Sequence, residues 1–96
     1  MKKAMIRVDS GTTLDGLAEK YHTTPLAIKK LNNLNTDLFV GMRLIVEENQ
    51  GEYYTVQPFD TLESIVSKFG ANLQRTKDLN GLERVFIGQK IFIPIG

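Results

Sequence analysis

Apolar residues recur with helical spacing in two stretches of the chain. In each stretch they occupy positions i, i+3, i+4 and i+7, the spacing that places side chains on one face of an α-helix. The residues are Leu14, Leu17, Ala18 and Tyr21 in the first stretch and Leu62, Ile65, Val66 and Phe69 in the second. The pattern predicts two amphipathic helices, each with one buried face.

Short runs of β-branched, aromatic and alternating residues flank these helices. Residues 6–8 and 53–56 precede the helices, and residues 43–46 and 90–94 follow them further along the chain. Runs of this composition are typical of strands. Each half of the chain is therefore predicted to begin and end with a strand.

Polar residues indicate where the two helices begin. Thr12 with Asp15, and Asp60 with Glu63, have the spacing of an N-cap side chain and an N3 carboxylate. These pairs would satisfy the first free amides of each helix, so we expect the helices to begin there.

A second helix is predicted to follow the first in each half. Gly70 and His22 stand where the first helices must end in a left-handed conformation. New helix-start signals come at once, at residues 24–25 (Thr-Pro) and at Asn72. The residues of the second helices expected to face the core are Ile28, Leu31 and Leu79.

The two halves are copies of one unit. Residues 6–34 align with residues 54–82, and residues 38–46 align with residues 85–93. The identical pairs are Val8/Val56, Thr13/Thr61, Leu14/Leu62, Lys20/Lys68, Lys29/Lys77, Leu31/Leu79, Asn32/Asn80, Leu34/Leu82, Phe39/Phe86 and Gly41/Gly88. We therefore predict a first repeat at residues 5–47, a polar linker at 48–52 and a second repeat at 53–95.

A unit with the order strand, helix, helix, strand has one simple way to bury its apolar faces. The two strands pair antiparallel, and both helices cover one face of that two-stranded sheet, which is only marginally stable without them. The predicted fold class is α+β, with two tandem βααβ units.

Composition removes several classes of function. The 96 residues include 12 Lys and Arg against 11 Asp and Glu, a formal net charge of +1. This balance gives no electrostatic reason to expect a nucleic acid or an anionic membrane as partner. The chain has no cysteine and one histidine, which excludes disulfides, cysteine-type zinc sites and most histidine-based metal sites. We expect no metal and no cofactor.

The sequence contains no set of residues that indicates catalysis. Asp60 with Glu63, and Asp15 with Glu19, are carboxylate pairs of the kind that glycosidases use, but helix capping and solvated helix faces explain them better. His22 is better explained as a helix-ending residue than as a ligand or a base. We expect that the chain is not an enzyme.

The second repeat resembles the LysM domain throughout. The familiar form of that module reads roughly Y-T-V-x-x-G-D-T-L-x-x-I-A, then K-Y-G, L-x-x-L-N and I-x-x-G-Q-x-L-x-I-P. The matching segments here are residues 54–65, 68–70, 78–82 and 86–94. Residues 8–46 resemble a more divergent LysM domain, so the likeness covers nearly the whole chain.

The resemblance implies non-catalytic binding of glycans that contain N-acetylglucosamine, either peptidoglycan or chitin-type oligomers. In the family the sugar lies in a shallow groove between the loop after the first strand and the loop before the last. The corresponding residues of the second repeat are Phe59, Asp60, Thr61, Leu62, Glu83, Arg84, Val85, Phe86 and Ile87. Those of the first repeat are Ser10, Gly11, Thr12, Thr13, Asn35, Thr36, Asp37, Leu38, Phe39 and Val40.

The sequence departs from the family pattern inside these loops. Phe59 replaces the usual glycine, Thr12 replaces the usual aspartate, and neither Gly41 nor Gly88 is preceded by proline. Phe59 would either stack on a sugar face or close off the groove. The alternative function is therefore a protein-interaction adaptor built on LysM units, as in a spore coat or a phage-tail-like assembly. We see no signal peptide and leave the compartment open between cell-wall association and such an assembly.

Overall fold

The computed structural model describes residues 2–95, which form two compact units. One unit extends to Asn49 and the other begins at Gln50. None of the helices between residues 2 and 95 has the length and apolar character needed to cross a bilayer.

The first unit contains two strands and two helices in the order predicted. Strand β1 spans Lys2–Arg7, helix α1 Leu14–Tyr21, helix α2 Pro25–Asn32 and strand β2 Arg43–Glu48. Strands β1 and β2 pair antiparallel, with Ile6 opposite Leu44 and Ala4 opposite Val46. The expected βααβ order and antiparallel pairing are confirmed.

The second unit repeats the same order. Strand β3 spans Gly51–Thr55, helix α3 Leu62–Phe69, helix α4 Leu73–Asn80 and strand β4 Lys90–Pro94. Strands β3 and β4 pair antiparallel, with Tyr54 opposite Ile91 and Glu52 opposite Ile93. The α+β class and the tandem arrangement of two βααβ units are thus both confirmed.

Most of the polar segment between the repeats is strand. Strand β2 continues to Glu48 and β3 already begins at Gly51, so only Asn49 and Gln50 lie between them. Glycine is required at position 51 by a close approach, because a Cβ there would lie 2.2 Å from the carbonyl oxygen of Ile93.

The predicted N-caps of the first helices are wrong by one residue. Thr13 and Thr61 cap α1 and α3, accepting hydrogen bonds from the amides of Gly16 and Ser64. Thr61 and Ser64 also form a reciprocal capping box. Thr12 and Asp60 are unavailable as caps because their side chains close the turn that precedes each helix.

The other predicted helix boundaries are confirmed. Thr24 and Asn72 cap α2 and α4 through their side chains, and Pro25 occupies the first turn of α2. His22 and Gly70 end α1 and α3 in the left-handed conformation, with φ of 55° and 65°. These boundaries were readable because cap and left-handed positions depend on the residue and its immediate neighbours.

Each unit has its own apolar core, formed between the sheet and the helices. The buried residues of the first core are Val8, Ala18, Ile28, Leu44 and Val46. Those of the second core are Val56, Leu62, Ile65, Ile91 and Ile93. Ile28 is buried as expected, but the expectation for Leu31 is wrong because 38% of its surface is exposed. Leu79 is half-buried.

One asparagine in each unit joins the second helix to the closing strand. The Asn80 side-chain amide donates to the carbonyl oxygens of Thr76 at 2.8 Å and Phe92 at 2.7 Å. Its oxygen accepts from the Phe92 amide at 2.9 Å. Asn32 makes the same pair of bonds to the main chain of Ile45, both at 2.8 Å. The side chain thus pairs with the strand as a further strand would.

We predict that Asn80→Ala lowers the free energy of unfolding of the second unit by about 2–3 kcal/mol, because the main-chain groups of Phe92 lose their partner. Urea unfolding followed through the amide NMR signals of each unit measures the change. Asp78→Ala is the control, since Asp78 is exposed on the same helix, and its effect should stay within about 0.5 kcal/mol. Equal effects of the two variants would contradict the role given to Asn80.

Candidate functional site

The loop after the first strand of each unit is a tight turn. In the first unit the amide of Thr12 donates to the carbonyl oxygen of Asp9 at 3.1 Å, and in the second the amide of Asp60 donates to that of Gln57 at 3.2 Å. The third residue has positive φ, 89° at Gly11 and 70° at Phe59. This is the pattern of a type II turn. We call residues 9–12 and 57–60 the first turns.

The loop before the last strand ends in a second turn of the same kind. The amide of Met42 donates to the carbonyl oxygen of Phe39 at 3.1 Å, and that of Gln89 to Phe86 at 3.0 Å. Here both third residues are glycine, with φ of 91° at Gly41 and 85° at Gly88. We call residues 39–42 and 86–89 the second turns.

A buried valine joins the two turns of each unit. The amide of Val56 donates to the carbonyl oxygen of Gln89, and its own carbonyl oxygen accepts from the amide of Gly88, both at 2.8 Å. Val8 makes the same two bonds to Met42 and Gly41, also at 2.8 Å. Because these bonds use the main chain, the two turns are held side by side whatever side chains they carry.

The carboxylate of Asp60 fixes the first turn of the second unit. It accepts hydrogen bonds from the amide of Gln57 at 2.8 Å and from the hydroxyl of Tyr54 at 2.5 Å. The ammonium of Lys68 lies 3.4 Å from that hydroxyl and over the Tyr54 ring. A charged acceptor with two donors makes stronger bonds than a neutral one.

The first unit fixes its turn with a hydroxyl instead. Thr12 Oγ1 accepts from the amide of Asp9 at 3.0 Å. Ile6 stands where the second unit has Tyr54, so no phenol reaches the turn from that position. The geometry of the turn is shared by the two units, but the side chain that closes it is a neutral hydroxyl in the first unit and a carboxylate in the second.

The pKa of the Asp60 carboxyl lies below its usual value of 3.8, chiefly because of the Tyr54 hydrogen bond. The Gln57 amide lowers the pKa further, burial of the carboxyl opposes the shift, and the positive charge of Lys68 makes the smallest contribution, which also lowers the pKa. Each of these groups favours the charged form of the carboxyl. Asp60 is therefore ionised wherever the unit is folded at ordinary pH.

Exposed apolar side chains project from the turns. Phe59 is 100% exposed, Phe86 is 65% exposed and Ile87 is 71% exposed in the second unit. In the first unit Phe39 is 60% exposed and Val40 is 66% exposed. Each second turn is thus apolar at its surface, and only the second unit has an apolar first turn as well.

Several of the residues expected to bind support the turns with their side chains. Leu62 is buried in the second core, and Leu38 and Val85 pack half-buried against the two cores. Thr13 and Thr61 cap helices. The side chains of these residues therefore have structural roles in the units.

The remaining expected residues lie at the surface. Ser10, Asn35, Thr36, Asp37, Glu83 and Arg84 are exposed. Glu83 lies 3.8 Å from the ammonium of Lys77.

Three of these residues border a separate depression in the first unit. Asn35, Thr36 and Asp37, with Lys29 and Leu34, line an open volume of about 370 Å³. No residue of the first turn contributes to that lining. Ser10, Gly11 and Thr12 lie outside the lining of this depression.

Tyr54, Lys68 and Gln89 support the turns of the second unit, although the predicted binding residues did not include them. Gln89 Oε1 accepts from the amide of Phe86 at 3.0 Å, which stiffens the second turn. Tyr54 and Asp60 both belong to the family pattern in the sequence. The pattern does not show that their side chains bond, because strand and turn meet only in the folded unit. Between residues 2 and 95 no group of three or more histidine or acidic side chains is placed to hold a metal ion.

A family model described as the LysM domain matches residues 6–47 and again residues 54–94. The resemblance seen in the sequence is thereby confirmed for both repeats.

The chain is also similar to part of larger proteins. It is 37% identical to N-acetylmuramoyl-L-alanine amidase sle1 of Staphylococcus epidermidis over 93% of this chain and 33% of that protein. It is 36% identical to the amidase of the same name from Staphylococcus aureus over 88% of this chain and 31% of the relative. A crystal structure of the Bacillus cereus spore cortex-lytic enzyme SleL aligns with 100% of this chain and 23% of its own, at 35% identity and a TM-score of 0.48. The chain thus spans about a third of the length of the curated relatives.

We predict that acid destabilises the second unit through Asp60. A carboxyl whose pKa is lowered on folding contributes stability above its unfolded pKa of about 3.9, and that contribution is lost as pH falls through the folded pKa. Between pH 6 and pH 3, Asp60→Asn should therefore reduce the fall in the urea midpoint of the second unit. Amide NMR signals measure both midpoints, and the first unit, with Thr12 at this place, is the internal control. Parallel pH profiles for the two proteins would contradict the prediction.

Proposed function

Because this chain belongs to the LysM family and carries two LysM domains in tandem, we propose that it is a non-catalytic module that binds N-acetylglucosamine-containing glycan. The ligand class is peptidoglycan or a chitin-type oligomer, and the role is to hold the protein on the cell wall. The paired turns of each unit are the proposed binding site.

The observation that carries the proposal is the pairing of two exposed turns across one buried valine. Phe59 and Ile87 stand at the corners of these turns, and within the described chain their main-chain groups make no hydrogen bond. Open amide and carbonyl groups beside exposed apolar side chains suit an acetamido group, which presents a donor, an acceptor and a methyl group. Such a site works largely through the main chain, so it tolerates different side chains in the two units.

The relatives support the same ligand class. The two staphylococcal proteins are named for N-acetylmuramoyl-L-alanine, and an N-acetylmuramoyl group carries the same acetamido substituent as N-acetylglucosamine. We propose that this chain serves as the wall-binding part, and that any hydrolysis requires residues outside it. Of the carboxylates considered for catalysis, Asp60 is bonded to Tyr54 and Gln57.

The adaptor alternative has no observation in its favour. It rested on the altered loops and on the signal peptide that we did not see. The turns of both units keep the same main-chain geometry despite the changes in the loops. A protein partner in a spore coat or phage-tail-like assembly is therefore not proposed.

A titration of the isotope-labelled chain with chitotetraose to chitohexaose tests the proposal. We expect saturable amide shifts at residues 57–62 and 83–89 in the second unit, with the matching residues 9–14 and 36–42 in the first. Cellohexaose is the matched control, because it has the same linkage without acetamido groups, and it should shift neither set. If no amide responds to millimolar chitohexaose, or if cellohexaose gives the same shifts, the proposal fails.

A further inference from the structure

Phe59 combines two unfavourable properties. Its backbone has φ of 70° and its side chain is 100% exposed. Positive φ is disfavoured for residues with a Cβ, most of all for bulky ones, and this turn position ordinarily takes glycine. No burial of the ring compensates for the backbone strain.

The chain itself shows that the turn does not need a side chain here. Gly11 occupies the same position in the first unit and closes the same turn with φ of 89°. Gly41 and Gly88 do so in the second turns. The other residues with positive φ and a side chain are His22 and Asn33, which end helices. Phe59 is therefore the exception among the turns, and folding gives no reason for it.

The ring is presented on a fixed turn. Pro58 precedes it and restricts the backbone, while Asp60 after it binds both the Gln57 amide and the Tyr54 hydroxyl. Val56 holds this turn beside the second turn, which exposes Phe86 and Ile87. A ligand that contacts Phe59 gains from an aromatic surface whose backbone is already ordered.

We infer that Phe59 is a sugar-stacking residue that makes the second unit the tighter of the two glycan sites. The inference rests on the proposed function. One face of an N-acetylglucosamine ring presents C–H groups, and these pack well against an aromatic face with its negative quadrupole. Gly11 offers no such surface in the first unit. Strain at an exposed residue is a property of functional sites, where it is maintained for the ligand.

The test measures stability and affinity together in Phe59→Gly. Removal of a strained residue should raise the urea midpoint of the second unit, whereas the loss of stacking should weaken its affinity for chitohexaose about tenfold. Phe59→Tyr keeps the aromatic face and should bind as the unmodified chain does. Phe59→Leu keeps an exposed apolar side chain at positive φ and should lose most of the affinity that Phe59→Gly loses. The amide shifts of the first unit are the internal control and should stay unchanged.

The outcomes separate this inference from the proposed function. If the unmodified chain binds chitohexaose and Phe59→Gly binds equally well or better, stacking is wrong while glycan binding stands. An increase in the affinity of Phe59→Gly would mean that the ring closes off the groove. If Phe59→Leu binds like Phe59→Tyr, apolar contact suffices and the aromatic role is overturned. If neither unit of the unmodified chain responds to the sugar, the proposed function fails first.

Discussion

The rest of each unit depends on the hydrogen bonds between the side-chain amide of one asparagine and the main chain of the closing strand. A two-stranded sheet leaves the outer edge of each strand without partners, and such a ribbon is marginal in water. Asn32 and Asn80 lie at the C-terminal ends of α2 and α4 and bond to both main-chain groups of one residue in the closing strand. The same bonds fix where the helix ends relative to the strand. They therefore define the endpoints of the loop that carries the second turn.

The proposed binding region is built on the main chain that this frame positions. Val8 and Val56 are buried in the cores and use their main-chain groups to join the two turns. The two units can thus differ in the turns without losing their geometry. Their differences are confined to groups that modify the surface, such as glycine against phenylalanine at positions 11 and 59 and threonine against aspartate at 12 and 60. One frame therefore supports two pairs of turns that differ in exposed apolar area.

Local signals in the sequence were reliable where a residue acts on its own neighbours. The apolar spacing located the first helices, and His22, Gly70, Thr24 and Asn72 were assigned to the helix ends they occupy. The caps of α1 and α3 were predicted one residue too early, because two polar residues are adjacent at each helix start. The first of the two closes the preceding turn, and the second caps the helix. Leu31 was expected inside on periodicity, yet the small unit leaves it partly exposed.

The sequence by itself determined the repeat, the order of strands and helices, the family and the segments in which binding residues were expected. These follow from residue type and spacing along the chain. Only the tertiary structure decided which side chains in those segments are buried and which are exposed. Leu38, Leu62 and Val85 are drawn into the cores, while Phe59 is left fully exposed at positive φ and Tyr54 reaches Asp60. That division depends on contacts between residues distant in sequence, which compete for a small core and for a few main-chain partners.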